Sequence, residues 1–305
     1  MKEFVPKGKG PVVIKGASNS NTIAKDYIDS VQIAYRFIGS KDADTSFEFC
    51  GRKLPAPIMA GPIGGQNKIM EQGALHYARA VSEAETVSWI GYHDADTWEK
   101  VMEEKLPAIR VIKPLGDLAL LKEEIRRDEE RGALAFSMDI DHGITLYGKN
   151  DFQKIAFGPK TIEELHELAE CTKLPFYVKG IMSVEDAIAA KKAGVAGIIL
   201  SGHNNRFPCA VAPLRILPEV RKAVGEDFTV FIDGGFDNGY DIFKALALGA
   251  DGVLCARAFL SSFARDGEEG LTDFILELQA QLKGAMSNTG SYDLKHINRD
   301  AVILP

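Results

Sequence analysis

PFYVKGIMSVEDAIAAKKAGVAGIILSGHNNR, Pro175 to Arg206, holds one full period of the pattern that decides the fold. The apolar run Pro175 to Lys179 ends on a cation. Ser183 to Ala193 reads as a helix, with Ser183 and Asp186 as its start signal and Gly194 as its stop, and Gly197 to Ser201 is a second apolar run. Strand, helix and strand at this spacing form a βα unit of a parallel sheet. The same rhythm extends in both directions. Ala56 to Ala60, Thr86 to Ile90, Ala108 to Ile112 and Ala135 to Asp139 come before it, and Thr229 to Asp233 and Gly252 to Cys255 come after it. The total is eight, the number that closes a barrel, so the expected fold is an α/β chain of (β/α)8 TIM-barrel type. A doubly wound open sheet uses the same local units, and periodicity does not separate the two.

The intervening segments carry the helical period. In Leu115 to Arg131, Leu118, Leu121 and Ile125 fall on one face and Lys122, Glu123, Arg126 and Arg127 on another. Two stretches break the rhythm. Ile140 to Lys160, after the fourth strand, is a long polar connection that reads as an active-site loop. Met1 to Lys53, with a helix expected over Thr22 to Phe37, reads as a segment covering an end of the barrel. No Pro- or Ser-rich linker divides the chain, so one domain is expected: a cap over 1–53, a barrel over 54–285 and a C-terminal segment over 286–305.

Composition narrows the function. The 305 residues are 46% hydrophobic and 26% charged, with a formal net charge of -7 and no long Lys/Arg block, which argues against nucleic acid or an anionic membrane as partner. The first residues lack a signal-peptide apolar region, so a cytoplasmic protein acting on a small molecule is expected. Cys50, Cys171, Cys209 and Cys255 show neither metal-ligand spacing nor a disulfide framework, and no metal is expected.

Catalytic groups of a TIM barrel sit at the C-terminal ends of its strands. Polar residues cluster there: Asp139 ends the fourth run, Lys179 the fifth, Ser201 and His203 follow the sixth, Asp233-Gly234-Gly235 closes the seventh and Ala256-Arg257 follows the eighth. Each alone has a plain reading, an N-cap or a solvated charge; together they mark a site. Two glycines beside an arginine suit a phosphate, because backbone N–H groups can approach closely and the guanidinium adds charge. His142, three residues past Asp139, is within reach of the rim, though a structural role is the simpler reading for it and for the other histidines.

With Lys179-Gly180, the run Ser201 to Arg206, Asp233-Gly234-Gly235 and Lys244 to Ala250 in order, the chain resembles the FMN-dependent α-hydroxy acid oxidases and dehydrogenases, the family of glycolate oxidase, lactate oxidase and the flavin domain of flavocytochrome b2. The resemblance runs from about Leu54 to Ile303. It implies FMN as cofactor and oxidation of a small 2-hydroxy acid to the 2-keto acid, with His203 taking the hydroxyl proton as hydride reaches flavin N5; the alternative, removal of the Cα proton to make a carbanion, uses the same residues, and sequence does not separate the two. It implies that Asp139 holds that histidine, that Arg206 binds the substrate carboxylate and that Lys179 lies at the flavin N1 and O2 edge. Ser137 and the backbone of Gly61 and Pro62 are implied beside the ring, Asp233, Gly234, Gly235, Ala256 and Arg257 at the ribityl and phosphate, and Ser88, Arg110 and Ser201 as further cofactor contacts. A homotetramer is also implied.

The pocket departs from the family pattern. The N-terminal YYxxGA-type segment is missing, the third strand carries Arg110-Val111-Ile112 in place of Gln-x-Tyr, and the second carboxylate-binding arginine is absent, its place falling near Tyr147, Lys149 and Lys154. Asn204 and Asn205 replace glycines, and Asn tolerates left-handed backbone. Two competing readings are a type 2 isopentenyl-diphosphate isomerase-like FMN enzyme and a flavin-binding protein without catalysis.

Overall fold

The computed structural model describes residues 19–91, 95–144 and 157–305. Eight parallel strands form a closed barrel: β1 (Ile58–Ala60), β2 (Ser88–Ile90), β3 (Ala108–Ile112), β4 (Phe136–Asp139), β5 (Phe176–Ile181), β6 (Gly197–Leu200), β7 (Thr229–Asp233) and β8 (Gly252–Cys255). Each strand pairs with its neighbours in chain order, and β8 returns to β1 with Val253 opposite Ile58. That pairing rules out the open sheet.

Alternate side chains of each strand point to opposite faces. One set, including Met59, Trp89, Val111, Tyr177, Ile199 and Phe231, fills the barrel interior. The other set, including Ile58, Phe136, Val178, Ile198, Ile232 and Val253, packs against the surrounding helices. Besides a single turn at Gln66–Ile69, the helices are α1 (Ser20–Ser30), α2 (Gly73–Glu83), α3 (Ala95–Glu103), α4 (Leu118–Glu130), α5 (Ile162–Glu170), α6 (Val184–Lys192), α7 (Pro213–Val224), α8 (Gly239–Ala247) and α9 (Arg257–Ser287), the last broken by a kink at Gly267. Several of their starts are capped by side chains, that of α6 as the sequence suggests. The Ser183 hydroxyl accepts from the Asp186 N–H, Asp117 caps α4, and Thr161 with Glu164 forms a capping box on α5.

The N-terminal segment works at both ends of the barrel. A hairpin of Phe47–Phe49 and Arg52–Leu54 plugs the end where the strands begin, its Phe49 ring 5.5 Å from Phe231 and 6.1 Å from Tyr177. The helix expected over Thr22 to Phe37 is α1 alone. Val31 turns extended, and the next residues, Gln32–Ile33, pair with Val302–Ile303, so sheet pairing takes the backbone that a longer helix needs. After β4 the chain makes a 3-10 turn over Ile140–His142, and Phe157 bridges back to Leu115. Tyr147, Lys149 and Lys154 lie outside the described residues. Among the described residues no helix is long and apolar enough to cross a membrane.

Candidate active site

The register of β4 and β5 sets the centre of the site. Ser137 lies opposite Tyr177, whose ring is inside the barrel, so Ser137 and, one step up, Asp139 and Lys179 also face inward at the mouth. The Lys179 Nζ donates to Ser201 Oγ at 3.0 Å and lies 3.5 Å from Asp139 and 3.4 Å from Asp233. All four side chains are buried. Burial works against the Lys179 charge, but the Asp233 and Asp139 carboxylates outweigh it and raise the ammonium above its usual range. Asp139 is held well below the usual carboxylate range: burial pushes it up, and Lys179 and Lys113 more than offset that.

His203 is held by a different carboxylate from the one the family resemblance implied. Its Nδ1 lies 2.8 Å from Asp141 Oδ2 and 3.0 Å from Oδ1. Asp139 is instead engaged by the Lys113 Nζ at 2.6 Å, which turns its carboxylate toward β3 and β5. Burial raises the Asp141 carboxyl, and the hydrogen bond and charge of His203 bring it below its ordinary value. Arg206 closes the group by donating from Nε to the Asp141 carbonyl at 2.5 Å.

Asp141 reaches this position because the residue beside it has no side chain. Gly180 sits at a register shift in β5 with φ 98°, and a Cβ there would lie 2.9 Å from Asp141 Cβ and Cγ. The turn after β6 is equally constrained. His203, Asn204 and Asn205 all have left-handed backbone, with φ of 43°, 54° and 62°. The asparagines therefore do keep the turn expected of the glycines they replace. Helix α1 pins it, since Ser20 donates to Asn205 Oδ1 from N and Oγ and the Asn21 amide donates to Asn204 Oδ1.

A cavity of about 940 Å³ opens beside these groups, within the size range of cofactor sites. Pro62, Lys179, His203, Asp233, Gly234, Gly235, Ala256 and Arg257 all line it, and Gly61 lies at its edge, bonded through its N–H to the Cys255 carbonyl. Two features fit FMN. At one end the N-terminus of α9 has no side-chain cap among the described residues, and Arg257 stands at its first turn, a natural seat for a phosphate. Toward the barrel the buried Ser137 hydroxyl has no hydrogen-bond partner among the described residues, as expected of a group that meets a polar ring edge.

Two expected cofactor contacts lie elsewhere. Arg110 alternates with Ile109 and Val111 of the interior, so it points into the helix layer, 3.1 Å from Asp128 and 3.4 Å from Glu124, with its guanidinium over Trp98. Ser88 alternates with Val87 and Trp89 and likewise faces outward. In both cases strand parity decides the face, and a shift of one residue reverses it.

Three residues belong to the site beyond those assigned from the sequence. Asp141 lies two positions past Asp139, and Lys113 directly follows β3, at the rim position that flagged the other polar residues. His142 does reach the rim, its ring 4.7 Å from that of His203, and burial together with Lys113, His203 and Arg206 holds its pKa down to about 4. Asp139, His142 and His203 each place a polar atom within 4.8 Å of the others, so the three surround one point at the barrel mouth.

The family model described as FMN-dependent dehydrogenase matches residues 2–161 and 147–304. Glycolate oxidase 3 of Arabidopsis thaliana is 30% identical, with 98% of this chain and 92% of that protein covered. Glycolate oxidase of Spinacia oleracea is 29% identical over 99% of this chain and 92% of its own length. Among solved structures, a mandelate oxidase variant with a monooxide FMN adduct superposes with a TM-score of 0.83 at 27% identity, covering 95% of this chain and 94% of that one. With the barrel, the cavity and the phosphate seat in place, the chain belongs to the FMN-dependent dehydrogenase family.

Proposed function

We propose that this enzyme oxidises a small 2-hydroxy acid to the 2-keto acid. The observation that carries the reading is the Asp141–His203 pair, with His203 lining the FMN-sized cavity beside Lys179. The names of the relatives support it: glycolate oxidases and a mandelate oxidase act on acids of this class.

The residues divide the work. His203 takes the substrate hydroxyl proton at Nε2, because Nδ1 is engaged by Asp141. That carboxylate fixes the tautomer and stabilises the imidazolium once the proton arrives. Arg206 supplies a planar donor for the substrate carboxylate. When bound, FMN supplies the two-electron acceptor. Lys179 places positive charge at the mouth, where it favours electron acceptance. A reducing, cytoplasmic setting accompanies this reading, supported by four cysteines that are all free thiols.

The test is anaerobic titration of the FMN-loaded protein with a panel of 2-hydroxy acids, followed by the visible spectrum. Bleaching by at least one acid, with the keto acid recovered, is the expected result. A flavin that stays oxidised against the whole panel overturns the assignment.

A further inference from the structure

We propose that Lys113 sets the reduction potential of the bound flavin by neutralising Asp139, which leaves the charge of Lys179 free to act on the cofactor. The inference rests on the reading that the flavin edge lies against Lys179.

Four charges form an unbroken chain across the mouth of the barrel. Lys113 lies 2.6 Å from Asp139, Asp139 is 3.5 Å from Lys179, and Lys179 is 3.4 Å from Asp233. The signs alternate, and each member comes from a different strand end: β3, β4, β5 and β7. All four side chains are buried, with Lys113 6% exposed and Lys179 2%. Water therefore screens them little, and each charge acts strongly on its neighbours.

The charge balance gives Lys113 its effect. With it, two ammonium groups face two carboxylates. Without it, the three charges left in the chain, Lys179 against Asp139 and Asp233, sum to one excess negative charge. Reduction of the flavin brings electrons into this region, so a buried excess of negative charge opposes it. Lys113 is thus a positioning residue, two contacts removed from the cofactor. A merely structural role, tying the ends of β3 and β4 together, predicts a loss of stability and leaves the potential alone.

The test is the two-electron midpoint potential of the FMN-loaded enzyme, equilibrated with reference dyes in the absence of any hydroxy acid. Lys113→Met is expected to shift the reduction equilibrium at least tenfold toward oxidised flavin, a fall of about 30 mV for a two-electron couple. Lys113→Arg, which keeps the charge, is expected to restore it. Asp139→Asn removes the opposite charge and is expected to raise the potential. The double variant Lys113→Met with Asp139→Asn is expected to recover most of the loss, the coupling of a pair that acts together.

A Lys113→Met enzyme with lower thermal stability and an unchanged potential overturns the inference. Should that variant not fold, Asp139→Asn decides alone: a raised potential supports the proposal, and an unchanged or lowered one overturns it. The measurement uses no substrate. If the potentials follow this pattern while no 2-hydroxy acid bleaches the flavin, the inference stands and the substrate reading falls.

Discussion

His203 meets two demands at once: a backbone in the left-handed region, with φ 43°, and an imidazole held by a carboxylate at 2.8 Å. Such conformations cost on the order of 1–3 kcal/mol and persist where the surroundings enforce them, here through α1 and the Asn204–Asn205 turn. His203→Ala is expected to slow anaerobic flavin reduction by about 10³-fold while FMN stays bound, as followed by stopped-flow absorbance. Asp141→Asn leaves the shape and removes the charge, so reduction is expected to slow by roughly 10²-fold. The same residue has a pH signature. Its carboxyl is depressed in the fold, so its contribution to stability is fully present above the unfolded value near about pH 4 and is lost as pH falls through the folded value. Thermal melts from pH 6 downward are therefore expected to fall less steeply for Asp141→Asn than for the parent in the acid range. The histidine was readable from its motif. Its partner was not, because Asp139 and Asp141 lie in one short segment, and only the nearby Lys113 decides which carboxylate remains for the imidazole.

At the scale of elements, strand ends and helix starts carry the chemistry. The eight strands are readable to within two residues at each end, because burial on both faces writes them as short apolar runs. Their facing was harder. Arg110 and Ser88 were expected at the cofactor and lie behind the sheet, since the side-chain period of two leaves no tolerance for a shift in alignment. The phosphate seat is a property of α9, whose first N–H groups and Arg257 converge on the cavity. Arg257→Ala removes a charge-assisted contact of about 1.5–3 kcal/mol, so FMN affinity is expected to weaken roughly tenfold to a hundredfold with the barrel intact. Equilibrium dialysis against FMN checks it, and an unchanged affinity moves the phosphate elsewhere.

The whole molecule separates stability from function along the barrel axis. Strand starts are sealed by the Phe47–Phe49 hairpin, and strand ends carry the ion chain, the histidine and the cavity. Truncating the plug at Phe49, which is 5% exposed, is expected to cost about 3–5 kcal/mol in urea unfolding with no change in FMN affinity. A parallel loss of FMN binding shows that the two ends are not independent. Residue order alone determined that eight βα units follow one another and that a His, a Lys, a pair of Gly and an Arg stand at their ends, because local burial and turn chemistry are written in neighbouring residues. Only the closed barrel decided that β8 meets β1, that Lys113 captures Asp139 and that Asp141 reaches His203 past Gly180. Those contacts join side chains from separate strands at distances near 3 Å, and strand register and tilt, which no local pattern encodes, set such distances.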